Sequence, residues 1–257
     1  MLRVLKYFIY FLIFLTVALV FNLPIQKALP YVDLPQELRV AGVDGTMLKG
    51  RADELRINQF PVRNVKYRFM PSCIPQLKVC YEVIYDQGEI RMGYDLLHGD
   101  IELFKSVIEY PVAELMRLVP NTLPVRPSGS LELQIQDLSM EAEHIAAING
   151  NLVWRNLGLN DQGIKLDIGD YLVEFSGDGN QYDLNFSDLN AALDVGGKGR
   201  INNDGRYNID VTIDAKRGID PQVKSVLNLV AARAGVNKYR VRQQGQLPRS
   251  ISNRLFP

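Results

Sequence analysis

The chain has 257 residues, of which 47% are hydrophobic and 23% charged, a balance typical of a folded protein with a sizeable core. Its 29 basic and 29 acidic residues cancel, so no excess of positive charge is present to attract a phosphate backbone. The composition therefore excludes a disordered chain and argues against nucleic acid as a partner.

An uncharged apolar run, YFIYFLIFLTVALVFNL, occupies residues 7–23. Its length approaches the roughly 20 residues that a membrane-spanning helix needs, so we predict a transmembrane helix over 7–23. Arg3 and Lys6 precede the run, and the next charge is Lys27. The positive-inside rule then places residues 1–6 in the cytoplasm and the bulk of the chain outside, which predicts a single-pass inner-membrane protein.

Two alternatives for this run are a cleaved signal peptide and a buried core helix. A cleavage site has small residues three positions and one position before the cut, and the sequence FNLPIQK at 21–27 offers no such pair. A buried helix needs equally apolar surroundings, which the rest of the chain lacks. The membrane anchor is the interpretation that the residues favour.

Beyond the run, the prolines within residues 24–36 forbid a continuous helix and predict a short neck. Residues 37–257 predict a mainly β domain. Its early strands are rich in β-branched and aromatic residues and are separated by turn residues. They cover residues 37–40, 51–60, 62–70 and 77–85.

The two cysteines, Cys73 and Cys80, are separated by the six residues IPQLKV. If this segment is a tight connection between strands, the cysteines can form a disulfide in an oxidising compartment, and closing so short a loop stabilises by about 2–3 kcal/mol. The alternative is a pair of free thiols. We predict no metal and no cofactor, because His98 and His144 stand in unrelated segments and no further cysteine exists.

Strict alternation of apolar and polar residues predicts half-buried antiparallel strands over 131–136, 164–168 and 207–213. Asn203, Asp204 and Gly205 precede the last of these and predict a hairpin turn. Together with the early strands, these patterns predict an antiparallel sheet built of hairpins, which can curve into a half-barrel.

Two segments have the period of an amphipathic helix. Residues 111–119 place apolar side chains on one face and stop at a proline. The second helix is predicted from Asp220 as the cap and Pro221 as the first helical residue to Gly235 at the C-terminal end. Packing on the sheet is the default role of both, and binding a partner is the alternative.

Glycine followed by a small polar and an apolar residue starts three segments, at residues 45–48, 129–131 and 150–154. This recurrence predicts two similar halves of the β domain, about 37–119 and 128–257.

Motifs of catalysis are absent from the sequence: it has no G-x-S-x-G, no Walker loop, no H-E-x-x-H and no G-x-G-x-x-G that opens a helix. The Gly-rich residues 196–199 predict a tight bend between strands. His98 and Asp100 predict a turn rather than an acid–base pair, and Asp167 with Asp170 predict solvated turn residues. Trp154 is predicted to pack in the core. We therefore predict that the protein is not an enzyme.

Three segments resemble the type II secretion system protein N family. Residues 43–52 are similar to Val-x-Gly-Thr-Leu-Trp-x-Gly-x-Ala, residues 148–154 to Gly-x-Leu-x-Trp, and residues 197–207 to Gly-x-Gly followed by Asp-Gly-Arg-Tyr. Leu48 departs from the family's Trp, and the cysteine pair is not a general family feature. The residues that carry the resemblance are Gly45, Thr46, Gly50, Gly150, Trp154, Gly197, Gly199, Asp204, Gly205, Arg206 and Tyr207.

The resemblance implies an accessory, structural inner-membrane component of the machine that exports folded proteins from the periplasm across the outer membrane. The partners it implies are other secretion components: the outer-membrane secretin or the inner-membrane C, L and M proteins. The β pattern also resembles that of membrane-anchored AsmA-like proteins. A periplasmic β-groove that handles lipid or another hydrophobic ligand is therefore the alternative function.

Overall fold

The structure is a computed structural model that describes residues 2–31, 38–57, 60–116, 126–141, 144–161, 164–216 and 218–248. The chain divides into two compact units, Met1–Gly93 and Tyr94–Pro257. The similar halves at 37–119 and 128–257, and the curvature of the sheet, stay predictions.

The first unit begins with helix α1 (Leu2–Phe21), followed by the short helix α2 (Ile25–Ala28) and a 3-10 turn (Leu29–Tyr31). Helix α1 ends at Phe21 because Pro24, whose ψ is 125°, takes the backbone out of the helical region. Residues 7–21 thus supply about 22 Å of uncharged helix, less than the roughly 30 Å of a hydrocarbon core. Among the residues that the structure describes, no helix is long and apolar enough to cross a membrane, and the predicted span over 7–23 is not confirmed.

The strands of the first unit pair antiparallel in the order β1-β3-β4-β5-β6, with β2 on β3. A 3-10 helix, Pro71–Gln76, joins β4 to β5. The predicted early strands are confirmed to within a few residues at each end. The strands are β1 (Leu38–Ala41), β2 (Asp44–Gly45), β3 (Lys49–Ile57), β4 (Phe60–Met70), β5 (Lys78–Tyr85) and β6 (Gly88–Asp95), the last of which ends in the second unit.

The second unit is a succession of antiparallel hairpins, in which each strand from β7 to β13 pairs with the next, followed by β15 and then β14. The three strands predicted from alternation lie inside β8, β10 and β13. The elements are β7 (Ile101–Pro111), α3 (Val112–Leu115), β8 (Arg126–Glu141), β9 (His144–Asp161), β10 (Ile164–Gly177), β11 (Gln181–Ala191), β12 (Leu193–Asn202), β13 (Arg206–Ala215), α4 (Pro221–Val230), β14 (Ala232–Arg233) and β15 (Lys238–Gln246).

The predicted hairpin turn between β12 and β13 is confirmed. The Gly205 N–H donates to the Asn202 carbonyl at 2.9 Å, and the Arg206 N–H donates to Asp204 Oδ1 at 2.9 Å. Gly205 has a φ of 77°, a conformation that a residue with a Cβ adopts at a cost.

Two predicted turns are wrong. Residues 196–199 lie within β12, because both neighbouring strands pair with them throughout. Asp167 and Asp170 lie within β10 and flank a break in register at Gly169. The Asp170 carboxylate accepts a hydrogen bond from the Asn156 N–H at 2.7 Å, so it supports the irregular strand rather than a turn.

The helix predictions are confirmed in part. The Asp220 side chain caps α4 by accepting a hydrogen bond from the Gln222 N–H at 2.8 Å, and Pro221 is the first helical residue. The helix ends at Val230 rather than near Gly235, because Ala231 is extended and leads into β14. Helix α3 has four residues and begins one residue later than predicted, because Pro111 still belongs to β7. Residues 117–119 of the predicted helix lie outside the described residues.

The hydrophobic core of the second unit lies where α4 covers β10, β12, β13 and β15. Val223 and Leu227 of α4 are 3% and 5% exposed, which shows that the amphipathic face packs as predicted. Burial against this core raises the pKa of the Tyr171 hydroxyl far above its usual value. The buried members of the cluster are Leu166, Ile168, Leu193, Ala215, Val223, Leu227 and Tyr239.

Candidate functional site

The first motif forms the turn between β2 and β3. The Thr46 N–H donates to the Lys49 carbonyl at 2.9 Å, and the Leu48 N–H donates to Thr46 Oγ1 at 3.3 Å. Gly45 and Gly50 are directly opposed, and a Cβ on Gly45 would lie 2.5 Å from the Gly50 Cα. Gly45 and Gly50 therefore allow β2 and β3 to approach closely, and the hydrogen bonds of Thr46 stabilise the turn between them.

Two tyrosines from the neighbouring strands hold this turn. The Tyr67 hydroxyl donates to the Thr46 carbonyl at 2.7 Å, and the Tyr81 hydroxyl donates to the Met47 carbonyl at 3.1 Å. The Tyr67 ring lies across Gly50, where a Cβ would be 2.6 Å from the ring carbon Cζ. Burial raises the pKa of both hydroxyls, so they remain protonated donors at neutral pH.

The same aromatic group contacts the N-terminal helix. The Phe69 ring lies 5.9 Å from that of Phe21, the last residue of α1, and 5.7 Å from that of Tyr81. The Gln26 side chain of α2 donates to the Val43 carbonyl at 2.8 Å. We call Phe21, Tyr67, Phe69, Tyr81 and the turn 46–49 the helix platform, because together they connect the N-terminal helix to the sheet of the first unit.

Replacing Tyr67 by phenylalanine is expected to lower the free energy of unfolding by about 1 kcal/mol, because the Thr46 carbonyl loses its donor while the ring contacts persist. Tyr31 is 90% exposed, so Tyr31→Phe serves as the control and should leave stability unchanged. Urea unfolding of both variants measures the difference. Equal stability of the two variants would show that the hydrogen bond contributes nothing.

The predicted disulfide is present. Cys73 in the 3-10 helix is bonded to Cys80 in β5, with the Cα atoms 6.0 Å apart, and both residues are buried. Cys80 pairs with Met70, one position from the pair formed by Phe69 and Tyr81. The bond therefore closes the β4–β5 connection next to the helix platform.

A buried carboxylate that sequence reasoning missed lies in the same unit. Glu82 is 6% exposed and contacts Arg68 Nη2 at 2.5 Å and Arg91 Nε at 3.2 Å. Burial acts to raise the pKa of Glu82, but the hydrogen bonds and charges of the two arginines outweigh it and hold the pKa below its usual value. Glu82 is thus a structural group held in ion pairs. The sequence could have predicted this role only if the pairing of Glu82 with Arg68 across β4 and β5 had been known.

The second motif places Gly150 under a ring. Gly150 of β9 pairs with Phe175 of β10, and a Cβ on Gly150 would lie 2.7 Å from Phe175 Cζ. Trp154 is half-buried instead of lying in the core, and its indole N–H donates to the Ser128 carbonyl at 3.0 Å. That hydrogen bond holds the tryptophan against β8, which accounts for its partial exposure.

The third motif repeats this arrangement through its tyrosine rather than through its glycines. A Cβ on Gly199 would lie 3.0 Å from Leu184 Cδ1, and one on Gly197 would lie 2.6 Å from the Val211 Cα. Tyr207 lies across Gly245 of β15, where a Cβ would be 2.7 Å from the Tyr207 hydroxyl oxygen. Asp204 and Arg206 form an ion pair at the hairpin turn.

Each motif thus contributes one member of a pair in which a glycine faces an aromatic ring on the next strand: Gly50, Gly150 or Tyr207. Glycine weakens a strand because it has no side chain to pack. An aromatic ring that lies over the glycine covers the exposed backbone and replaces the missing contacts. The motif residues therefore have structural contacts, and none of them forms a reactive group. The glycine–aromatic pairs are Gly50–Tyr67, Gly150–Phe175, Gly177–Tyr182 and Gly245–Tyr207.

A groove of about 1600 Å³ follows one face of the strands from β8 to β15. Most of its lining residues are carboxamides or charged groups, and several of them bond across the strands. Arg200 Nε contacts Asp183 Oδ1 at 2.9 Å, and Asn185 donates to Glu174 at 2.9 Å. A lipid chain needs an apolar lining, so this groove does not favour the lipid-handling alternative.

Asp210 is the most strongly perturbed carboxylate of the groove. Its carboxylate accepts hydrogen bonds from Arg240 and Arg242, at 2.6 and 3.1 Å, and these donors lower its pKa to about 2. A lowered pKa stabilises the folded state above the ordinary carboxyl range, and the effect is lost as the pH falls toward 2.

Asp210→Asn should therefore be less stable than the wild type at neutral pH, and the gap should narrow between pH 4 and pH 2, as the wild-type carboxylate takes up its proton. Chemical unfolding at a series of pH values measures the gap. If the difference in free energy of unfolding between the wild type and Asp210→Asn stays constant from pH 6 to pH 2, the ion pairs of Asp210 are not its cause.

No acid–base pair forms at His98 and Asp100. His98 Nδ1 contacts Asp95 Oδ2 at 3.2 Å instead, and the turn covers residues 96–98, two positions earlier than the turn predicted at 98–100. Within the described part of the chain, no group of three or more His, Cys, Asp or Glu side chains is placed to hold a metal ion.

The comparison with protein families decides the identity. The family model described as type II secretion system (T2SS), protein N matches residues 36–242. The chain belongs to the type II secretion system protein N family. The matched range contains every motif residue named above, so the resemblance inferred from the sequence is confirmed.

A curated relative within the family is the type II secretion system protein N of Vibrio cholerae serotype O1. It is 21% identical over 254 residues, which are 95% of this chain and 99% of the relative. No solved structure matches the chain. Membership of the protein N family makes the chain a cell-envelope secretion component of a structural family, not of an enzyme family.

Proposed function

We propose that this member of the protein N family is an accessory structural component that supports the export of folded proteins from the periplasm across the outer membrane. The observation that carries the proposal is the family match over residues 36–242. The contacts of the motif residues support it. The glycine–aromatic pairs, the hydrogen bond from Tyr67 to the Thr46 carbonyl and the Asp204 hydrogen bond in the β12–β13 turn stabilise the sheet, and none of these residues supplies a reacting group.

The N-terminal helix supports a location at the inner membrane. Tyr7, Phe14 and Leu19 are 74%, 72% and 64% exposed, and a hydrocarbon environment would cover such side chains. We propose that the helix nevertheless anchors the chain in the inner membrane, with Lys6 extending its charge toward the headgroups and the bilayer thinning around the short uncharged part. We propose residues 1–6 on the cytoplasmic side and residues 24–257 in the periplasm.

The disulfide agrees with this location, since such bonds persist in the oxidising periplasm and are rare in the cytoplasm. Alkaline extraction of isolated membranes tests attachment: the protein should stay in the membrane pellet. Proteolysis of spheroplasts tests the orientation, and degradation of the bulk of the chain is the expected result. Release by alkali or protection from protease would contradict the location.

The partners that we propose are other components of the secretion machine, namely the secretin or the inner-membrane C, L and M proteins. Amine crosslinking in cells that express the complete system, followed by purification of the tagged protein, should recover at least one of them. A tagged periplasmic protein of equal abundance is the control. Recovery of none of these components, while the crosslinked machine itself stays intact, would overturn the proposal.

A further inference from the structure

The turn between β6 and β7 exposes two adjacent leucines. Leu96 is 58% exposed and Leu97 is 68% exposed, and Tyr94 and Ile101 beside them are 46% and 47% exposed. Turns are ordinarily occupied by Gly, Pro, Asn, Asp and Ser, which favour the backbone conformations and local hydrogen bonds of a turn, and not by leucine. We call residues 94–101 the leucine turn.

Hydrogen bonds of Asp95 fix the shape of the leucine turn. Asp95 Oδ1 accepts from the Leu97 N–H at 2.8 Å and from the His98 N–H at 3.2 Å. The Gly99 N–H donates to the Asp95 carbonyl and the Asp95 N–H to the Asp100 carbonyl, both at 2.9 Å. The leucines are therefore presented by an ordered backbone, and burying them on binding costs little further ordering.

Three acidic residues lie at or beside the leucine turn: Asp95 and Asp100 within it, and Glu141, which follows the Met140 that pairs with Ile101. Asp95 contacts the His98 ring at 3.2 Å, and its hydrogen bond and charge raise the pKa of His98, with smaller contributions from the charges of Asp100 and Glu141. Three carboxylates thus stand against one histidine. An anionic membrane surface would repel this group, whereas an apolar protein pocket rimmed by Lys or Arg would complement it.

We propose that the leucine turn inserts Leu96 and Leu97 into an apolar pocket, rimmed by Lys or Arg, on another protein of the secretion machine. The choice of a secretion component as the partner rests on the proposed function; the chemistry of the pocket rests on the exposed leucines and the carboxylates around them. An apolar centre with a polar rim is the usual composition of a protein interface.

Site-specific photocrosslinking in cells tests the proposal on the full-length protein. A p-benzoylphenylalanine at position 97 should give a light-dependent adduct with one secretion component, and the crosslinked peptide should lie in an apolar segment with Lys or Arg nearby. The same probe at position 203, in the exposed polar turn between β12 and β13, is the matched control and should give no such adduct.

Adding Leu96→Ser should lower the yield of the position 97 adduct about tenfold, because one of the two apolar anchors is lost. The thermal unfolding midpoint of Leu96→Ser should equal that of the wild type, since Leu96 is exposed in the isolated protein. A yield that Leu96→Ser leaves unchanged would overturn the proposal.

Other outcomes at position 97 also overturn it: no adduct, an adduct with phospholipid, an adduct with a second copy of this chain, or a crosslinked peptide that lacks nearby Lys and Arg. Amine crosslinking on the same cells reports the proposed function separately. If it recovers secretion components while position 97 captures none, the docking site is wrong and the proposed function stands.

Discussion

Replacing Gly150 by valine is expected to lower the free energy of unfolding by about 2 kcal/mol. Gly150 is buried, and its new Cβ would lie 2.3 Å from the Gln134 carbonyl oxygen of β8 and 2.7 Å from Phe175 Cζ, so both the neighbouring backbone and the ring must shift. Forcing extra carbons into a packed site costs about 1–3 kcal/mol. Thermal or urea unfolding of the purified protein measures the loss.

Gly196 of β12 offers a matched control, because it is also a glycine inside a strand. A Cβ there would meet no atom within 4 Å, and the residue is exposed. Gly196→Val should be neutral or stabilising by up to about 1 kcal/mol, since valine suits an extended backbone and loses less entropy on folding. Equal destabilisation by the two substitutions would contradict the assignment of Gly150 as a glycine–aromatic site.

Removing the disulfide by the double substitution Cys73→Ala, Cys80→Ala is expected to cost about 2.5 kcal/mol. The bond closes a loop across a sequence separation of 7, and the unfolded chain gains the corresponding freedom when the bond is absent. Urea unfolding of the oxidised wild type and of the double variant compares the two free energies directly.

Reduction provides the control for the disulfide prediction. Dithiothreitol should lower the stability of the wild type toward that of the double variant, and it should not affect the variant, which has no cysteine left. A reductant effect of equal size on both proteins, or no loss of stability in the double variant, would contradict the stabilising role of the bond.

The parts of the fold that the sequence predicted correctly depend on local patterns. Alternation along 131–136 and 207–213 predicted strands inside β8 and β13, because a half-buried strand needs apolar residues on one face. Asp220 and Pro221 predicted the start of α4 through cap chemistry that acts within one turn. The spacing of Cys73 and Cys80 was short enough for pairing to be inferred without the fold.

The parts that the sequence did not predict depend on register between strands. Gly150 and Phe175 are 25 positions apart, and only the pairing of β9 with β10 brings them together. The glycines at 196–199 suggested a bend by composition, yet the flanking strands β11 and β13 pair with them and keep the backbone extended.

The central claim is that this protein N family member acts in secretion through a rigid sheet. Complementation of a deletion strain tests this claim most directly. The quantity to measure is the fraction of a folded secreted enzyme found outside the cells. Deletion should lower that fraction, and the wild type and Gly196→Val should restore it, whereas Gly150→Val should not at a temperature that unfolds its sheet. Unchanged secretion in the deletion strain, or full restoration by an unfolded Gly150→Val protein, would contradict the account.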